Sequence, residues 1–347
     1  MPVSSPFDFF IQLHITERCN LRCSHCYQEG NRSDEMTLGE IISIMDEVSE
    51  MLTAWEEAYA VPFESSFTVT GGEPFLRSDF SAILAALNQR GFDTYVLTNG
   101  TLISREKARE LADLGVRGVQ ISLEGPEQIH DSIRGAGSFA ASMNGIHNIV
   151  NSGIELTLNT TLSEINAQYF MDMIRLASAL GAQKLGFSRL VPSGGGKRLF
   201  NKMLSTDAVE DLYRKIFSFN TGDLKIVTGD PVASQYRSPE QASYDSSVPS
   251  GGCAAGVSGL TILPDGTVTP CRRLPRPIGN VRTDSLREIW ATSDVLNSLR
   301  DKALYQGKCG DCSRWASCRG CRAIAFATAG GGGVNACLAE DPQCFLE

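Results

Sequence analysis

Strand-like and helix-like segments alternate through the first two thirds of the 347-residue chain. Six short apolar runs predict strands, at residues 10–16, 66–70, 94–98, 118–123, 154–161 and 184–190. Segments with an apolar residue every three or four positions predict helices, at residues 38–60, 79–90, 105–114, 142–151 and 167–180. Strands and helices alternating in this way form parallel βα units. We therefore expect an α/β fold, a partial (β/α)6 barrel that is left open because a closed barrel has eight units.

Polar and glycine-rich motifs follow the first four predicted strands. Loops after parallel strands collect at one face of a barrel, where ligand sites form. The sequence therefore predicts one site at this face, built from several loops. Its candidate residues are Cys19, Cys23 and Cys26, then Gly71, Gly72, Glu73 and Pro74, then Asn99, then Glu124.

The first three cysteines have the spacing C-x3-C-x2-C on one predicted loop. Three thiolates can hold three irons of a [4Fe–4S] cluster and leave the fourth iron open for a non-protein ligand. A zinc site that adds His25 to the three thiolates is the alternative that zinc chemistry permits. The motif Gly71–Pro74 favours the cluster, because a zinc site gives no reason for a glycine pair and an acid at the next strand end.

Eight further cysteines lie between residues 253 and 344, and none lies between residues 27 and 252. They are Cys253, Cys271, Cys309, Cys312, Cys318, Cys321, Cys337 and Cys344. Their number matches two clusters with four thiolates each. A structural zinc ribbon formed by the four cysteines at 309–321 is the alternative, but zinc knuckles are usually about 15–20 residues apart.

Composition excludes several classes of protein. A net charge of −9 and a pI near 5.1, without a long basic run, do not provide the electrostatic footprint of a nucleic-acid binder. Apolar stretches end well before the roughly 18–20 residues that span a bilayer. Residues 1–11 lack the basic and apolar regions of an export signal. We expect a cytoplasmic protein with no nucleic-acid or membrane partner.

Two domains are expected from the distribution of these features. Residues 1–235 form the barrel domain, with a bridging helix at 205–219, and residues 236–347 form a cysteine-rich iron–sulfur domain. The boundary falls in the segment 235–252, which is rich in Ser, Pro and Gly.

The segment Thr16–Tyr27 reads TERCNLRCSHCY, and together with Gly71–Pro74 it resembles the radical S-adenosylmethionine (SAM) superfamily. The resemblance implies that SAM chelates the open iron and is cleaved reductively to a 5′-deoxyadenosyl radical. It also implies that the GGEP motif binds the SAM amino group, partly through backbone carbonyls. Arg134 is implied as a partner of the SAM carboxylate. Residues where relatives contact methionine or ribose are Thr98, Asn99, Ser122 and Glu124, the last of which is Asp in many relatives.

The distal cysteines resemble the SPASM extension, which carries two auxiliary [4Fe–4S] clusters. The resemblance implies Cys253, Cys271 and Cys321 as ligands of the first auxiliary cluster. For the second auxiliary cluster it implies Cys309, Cys312, Cys318 and one late cysteine.

This chain departs from the SPASM pattern in two ways. Two residues instead of three precede Cys321, and there are two late cysteines instead of one. The segment Asp341–Cys344 resembles the terminal segment of several relatives, which favours Cys344 for the second cluster. Cys337 then completes the first cluster or is free.

Arg272 and Arg273 follow Cys271, where sulfatase-maturing relatives have a catalytic Asp. This departure speaks against formylglycine formation. With Arg276 they form a basic patch that suits a carboxylate-bearing substrate, although exposed arginines without a ligand fit the sequence equally.

The resemblance implies a radical SAM/SPASM oxidoreductase that modifies a ribosomal peptide, by thioether or carbon–carbon cross-linking, epimerisation or a related oxidation. The alternative is a decarboxylase or oxidase of a carboxylate-bearing small molecule such as a tetrapyrrole, because the segments CRGCRA and AEDPQC resemble such relatives. A non-enzymatic iron–sulfur electron carrier is a third hypothesis. Implied partners are an electron donor such as flavodoxin or ferredoxin and a separate peptide-recognition protein.

Overall fold

The computed structural model describes residues 7–28, 34–236 and 248–346. Ten strands lie within these ranges and form one sheet in the order β10-β9-β8-β1-β2-β3-β4-β5-β6-β7. They are β1 (Phe7–His14), β2 (Phe63–Thr70), β3 (Asp93–Thr98), β4 (Gly118–Ser122), β5 (Glu155–Leu162), β6 (Lys184–Arg189), β7 (Lys225–Val227), β8 (Gly259–Ile262), β9 (Thr267–Thr269) and β10 (Gly279–Asn280).

Twelve α-helices of the described residues surround this sheet and build the C-terminal part. They are α1 (Leu38–Tyr59), α2 (Phe80–Gln89), α3 (Arg105–Asp113), α4 (Glu127–Arg134), α5 (Ser138–Ser152), α6 (Phe170–Ala179), α7 (Thr206–Ser218), α8 (Leu286–Thr292), α9 (Asp294–Arg300), α10 (Lys308–Asp311), α11 (Arg322–Thr328) and α12 (Gly333–Leu338).

Strands β1 to β6 are the six predicted strands, and each pairs in parallel with the next. The predicted α/β fold with a partial (β/α)6 barrel is confirmed. Helix α4, the helices α8 to α12 and the strands β7 to β10 were not predicted. The missed strands have only two to four residues, which is too short for a periodic pattern to show.

β1 shows why the sequence forms this barrel. Phe9, Ile11 and Leu13 alternate along the strand, and all three are fully buried. Helix α1 begins with a capping box, in which Thr37 and Glu40 satisfy each other's backbone N–H groups. The parallel pairing of β1 with β2 places the loop after β1 beside the loop after β2, because the register aligns the last residues of both strands.

The C-terminal part continues the barrel sheet and adds a second core. β8 pairs in parallel with β1, and β9 and β10 follow as antiparallel strands. Beyond them, Trp315 is fully buried against the ring of Tyr305. The predicted domain boundary lies in a segment whose residues 237–247 are outside the described ranges, so it stays a prediction. None of the helices described here has the length and apolar character needed to cross a membrane.

Candidate functional site

Cys19, Cys23 and Cys26 lie on the loop after β1 and line one cavity at the carboxyl ends of the barrel strands. The cavity, including its mouth, has about 940 Å³ of free space. Three soft thiol ligands on one wall of such a cavity fit an iron–sulfur cluster with an open iron.

Gly71 and Gly72 hold the cysteine loop from one side. Gly72 N donates to Thr16 O at 2.8 Å, and Glu73 N donates to Arg18 O at 2.8 Å. A Cβ atom on either glycine would lie 2.3 Å from one of these carbonyl oxygens. The resemblance to radical SAM enzymes implied that the motif containing this glycine pair binds the SAM amino group, partly through backbone carbonyls. Both glycines line the cavity, and the contact that requires them in this structure is with the cysteine loop itself.

A second glycine run holds the same loop from the other side. Gly196 N donates to Cys26 O at 2.8 Å, and Gly195 N donates to Gln28 O at 3.3 Å. Gly194 has a φ of +56°, and a Cβ atom there would lie 2.0 Å from Tyr27 O. Sequence reasoning missed this role, because residues 194–196 lie far from the cysteine loop in the sequence.

Glu73 connects the ends of β2 and β3 behind the cavity wall. Its carboxylate is fully buried and accepts hydrogen bonds from Thr98 Oγ1 at 2.8 Å and Asn99 N at 2.9 Å. Burial raises the pKa of Glu73 to about 7, and these hydrogen bonds offset part of that effect. Thr98 and Asn99 line the cavity, whereas Glu73 and Pro74 do not. A role for Glu73 in SAM binding stays a prediction.

Replacing Glu73 with glutamine is expected to remove a pH dependence of stability. Between its ordinary pKa of 4.5 and the folded value of about 7, rising pH deprotonates Glu73 in the unfolded chain first. The folded protein therefore loses stability as pH rises through this window, by about 3 kcal/mol in total. Unfolding free energies of wild type and Glu73→Gln at about pH 5 and pH 8 measure the effect. Parallel pH profiles for the two proteins would contradict it.

Glu124 and Arg134 form a buried pair beside the cysteine loop. Arg134 Nε donates to Glu124 Oε1 at 3.0 Å, and His25 Nε2 lies 3.2 Å from the same oxygen. Burial alone would raise the pKa of Glu124, but Arg134 and His25 hold it well below its usual range. The Arg134 guanidinium faces the cavity, with Nη1 3.9 Å from Cys23 Sγ.

This pairing gives three sequence candidates a defined place. Glu124 does not line the cavity, and its position orients Arg134. His25, the fourth ligand in the zinc alternative, lies beside the carboxylate of Glu124. Pairing of Arg134 with the SAM carboxylate stays a prediction.

Uncharged polar side chains from three neighbouring strands also line the cavity. They belong to the strands or strand ends of β4, β5 and β6 and suit hydrogen bonding to a ribose or a base. Of these residues, sequence reasoning identified only Ser122, because polar residues alternating along a strand are also typical of a solvent-facing surface. They are Ser122, Gln120, Asn159, Thr161 and Ser188.

Arg272 and Arg273 also line the cavity, close to the cysteine loop. Arg272 lies over the ring of Tyr27, with 5.9 Å between Cζ and the ring centroid. Burial lowers the pKa of Arg272. Within the described ranges Arg272 has no carboxylate partner, whereas Arg273 Nη1 donates to Arg189 O at 3.4 Å. Arg276 does not line the cavity, so the predicted basic patch is divided.

The cysteines predicted for the first auxiliary cluster lie near one another. Arg273 interacts electrostatically with Cys271 and Cys321, and Cys321 interacts with Cys253. Cys337 is fully buried, and its carbonyl accepts a hydrogen bond from the Arg322 side chain.

The cysteines predicted for the second auxiliary cluster line a separate cavity. These residues are Cys309, Cys312, Cys318 and Cys344. The structure thus places Cys344, and not Cys337, beside the three clustered thiols. Burial raises the pKa of Cys318 to about 12, so iron must displace a firmly held proton there. Four thiols around one cavity fit a [4Fe–4S] cluster.

A buried ion network joins the barrel to the segment that carries Cys344. Arg189, at the end of β6, donates to Asp230 at 2.6 and 2.9 Å and to Asp341 at 2.7 and 2.9 Å. The Asp341 carboxylate also accepts a hydrogen bond from the backbone N–H of Cys321 at 2.7 Å. Arg189 and Asp341 are almost completely buried. The network therefore fixes the position of two predicted auxiliary-cluster ligands relative to β6.

Comparison with known proteins defines the class. The model of the radical SAM superfamily matches residues 13–177, and that of the iron–sulfur cluster-binding SPASM domain matches residues 253–322. An AdoMet-dependent heme synthase of Nitratidesulfovibrio vulgaris is 30% identical over 98% of this chain and 93% of its own length. The chain belongs to the radical SAM superfamily and carries a C-terminal SPASM domain. It is a radical SAM enzyme whose cofactors are [4Fe–4S] clusters and SAM.

Other similar proteins have names that describe different activities. A mycofactocin maturase, MftC, of Mycobacterium ulcerans is 30% identical over 90% of this chain and 83% of its own length. The crystal structure of Streptococcus suis SuiB bound to S-adenosylmethionine superposes with a TM-score of 0.77 at 15% identity, covering 98% of this chain and 78% of SuiB. The likeness to SuiB extends the fold assignment over nearly the whole chain.

Proposed function

We propose that this radical SAM/SPASM enzyme oxidatively decarboxylates a carboxylate-bearing small molecule of the tetrapyrrole class. The observation that carries the proposal is Arg272, a guanidinium that faces the SAM cavity without a carboxylate partner in the described residues. A desolvated arginine in a cavity binds a carboxylate strongly, with two parallel hydrogen bonds. A substrate propionate satisfies this requirement.

Similarity over the full chain supports the same choice. The AdoMet-dependent heme synthases of Nitratidesulfovibrio vulgaris and Oleidesulfovibrio alaskensis align with 98% and 99% of this chain. The latter is 29% identical and aligned over 88% of its own length. This proposal takes up the sequence alternative in place of the leading hypothesis of peptide modification.

When bound, the cluster and SAM supply a 5′-deoxyadenosyl radical that removes one hydrogen atom from the substrate. A propionate that loses a hydrogen atom from its β carbon can release CO2 and one electron and leave a vinyl group. The Cα–carboxyl bond breaks, a carbon–carbon double bond forms, and the electron passes to a one-electron carrier such as an iron–sulfur centre. The electron released equals the electron that SAM cleavage consumes.

The chain's own residues position the substrate. Arg272 holds a carboxylate at the cavity wall, and stacking on Tyr27 limits the movement of its side chain. Arg273, tied to Arg189 O, lies next to it and provides a second guanidinium. Fixing the carboxylate in this way orients the adjacent carbon toward the cysteine loop.

Replacing Arg272 with methionine is expected to weaken substrate binding at least about 30-fold, since losing one partner of a desolvated charge pair costs about 2–5 kcal/mol. The probe is an iron porphyrin with four propionate groups, incubated anaerobically with reduced enzyme and SAM. Calorimetric binding, CO2 release and 5′-deoxyadenosine formation are measured together. Slow SAM cleavage without substrate is expected to remain, because Arg272 donates no hydrogen bond to the cysteine loop in the described residues and methionine can still pack on Tyr27.

The matched control is Arg287→Met, which changes an exposed arginine on α8. This variant is expected to bind and decarboxylate like wild type. If Arg272→Met binds the porphyrin as tightly as the control does, the arginine is not a carboxylate site. If wild type cleaves SAM but releases no CO2 from the porphyrin, the substrate class is wrong.

Peptide modification is the second candidate, favoured by the 30% identity to a mycofactocin maturase over 90% of this chain. Neighbouring genes supply the test substrates. Mass spectrometry of a co-encoded short peptide, after incubation with reduced enzyme and SAM, detects loss of hydrogen or of CO2. A modified peptide together with an unchanged porphyrin would favour this candidate.

A further inference from the structure

Arg319 has an unusual backbone conformation between two cysteines. Its φ is 62°, in the left-handed region that residues with a Cβ atom rarely adopt, and Gly320 follows with a φ of 61°. These two residues form the whole spacer between Cys318 and Cys321, where the SPASM pattern has three. A strained non-glycine residue persists only where its surroundings hold it, and such residues cluster at functional sites.

The Arg319 side chain connects loops that carry predicted ligands of different clusters. Nη1 donates to Ala316 O at 3.1 Å, and Nη2 donates to Gly251 O at 2.7 Å and to Cys253 O. Backbone contact reinforces the connection, because Cys253 N donates to Cys318 O at 3.1 Å. The buried guanidinium therefore fastens the loop of the first auxiliary site to the loop of the second.

The same guanidinium places a charge between the two sites. It interacts electrostatically with both Cys253 and Cys318, and also with Tyr305 and with the second cation Arg322. Its Cζ lies 5.7 Å from the centroid of the Trp315 ring. Among the described residues no carboxylate neutralises it. Positive charge and hydrogen bonding near an iron–sulfur cluster favour its reduced form, because the reduced cluster carries one more negative charge.

We propose that Arg319 is a positioning residue that fixes the two auxiliary cluster sites relative to each other and raises the reduction potentials of both clusters. The proposal concerns the path of electrons within the SPASM domain and does not depend on which substrate the enzyme takes. It assigns a function to the shortened spacer, since that spacer brings the arginine side chain between the loops.

The test uses the full chain with Cys19, Cys23 and Cys26 replaced by alanine, so that only the auxiliary clusters contribute signals. Arg319→Met and Arg319→Lys are compared with this parent. Reduction potentials are measured by titration followed by electron paramagnetic resonance, and cluster stability by the rate of iron loss to a chelator. Arg319→Met is expected to lower both potentials and to lose iron several-fold faster. Arg319→Lys is expected to keep the potentials and lose iron faster, because one ammonium group does not replace the guanidinium fork.

Arg300→Met is the matched control. Arg300 also donates to backbone carbonyls, Gly256 O at 2.6 Å and Trp290 O at 2.9 Å, and contacts no cysteine in the described part of the chain. The proposal would be overturned if the Arg319→Met variant had the same reduction potentials as the parent. It would also be overturned if Arg300→Met lowered the potentials as much as Arg319→Met does. If Arg319→Met does not fold, iron loss from Arg319→Lys no faster than from Arg300→Met overturns it.

Discussion

Replacing Cys19, Cys23 and Cys26 together with alanine is expected to abolish formation of 5′-deoxyadenosine from SAM. The three thiols line the cavity and are the only cysteines on its described walls. Without them the protein cannot hold a cluster whose fourth iron has an open coordination site for SAM, so SAM cannot be cleaved reductively. Anaerobic purification, iron analysis and chromatography of the products measure the effect. Iron is expected to fall from about twelve to about eight per chain, because the auxiliary sites remain.

Ser24→Ala is the control for this experiment, since Ser24 lies on the same loop between two of the cysteines. Its backbone N–H donates to Ile133 O, a contact that alanine retains. This variant is expected to cleave SAM like wild type. Persistent SAM cleavage in the triple variant, or zinc in place of iron in the wild-type protein, would show that these cysteines do not hold the initiating cluster.

Replacing Arg189 with methionine is expected to cost about 3–5 kcal/mol of stability. The change leaves Asp230 and Asp341 as two buried carboxylates without an ion-pair partner in the described part of the chain. It also removes the contact that holds the segment carrying Cys344 and Asp341, whose carboxylate accepts a hydrogen bond from Cys321 N. Denaturant unfolding of the anaerobic holoenzyme gives the apparent free energy, and iron analysis is expected to show partial loss of both auxiliary clusters.

Arg175→Met is the matched control for Arg189, because it breaks an ion pair with Asp172 that is largely exposed to solvent. Exposed pairs of this kind contribute little. Its unfolding curve is expected to match that of wild type. If Arg189→Met loses no more stability than Arg175→Met, the network does not fasten the C-terminal segment to β6.

Local sequence patterns predicted the barrel because its signals are local. Phe9, Ile11 and Leu13 alternate within one strand, and Thr37 with Glu40 marks the start of α1. The same reasoning located the cysteine loop after β1. These features depend on residues only a few positions apart, where periodicity and capping carry the information.

Contacts between distant segments were not predictable in the same way. Arg189 meets Asp341 through the fold, and nothing near either residue in the sequence indicates the other. Arg134 was assigned to the SAM carboxylate, but its pairing with Glu124 depends on where α4 places it. The glycines at 194–196 likewise contact a distant segment, since their partner is the loop after the first strand of the barrel.

β1 is synthesised early, but one of its two edges stays unpaired until β8 has been synthesised. Phe10 to Leu13 pair with Gly259 to Ile262, which leave the ribosome only after the remaining barrel strands. At a typical elongation rate of about 5–20 residues per second, the edge stays unpaired for roughly ten seconds or more. An open strand edge is a template for pairing with another chain. Pairing between nascent chains therefore competes with correct folding until β8 is made, and slower overexpression at low temperature is expected to favour the correctly folded product.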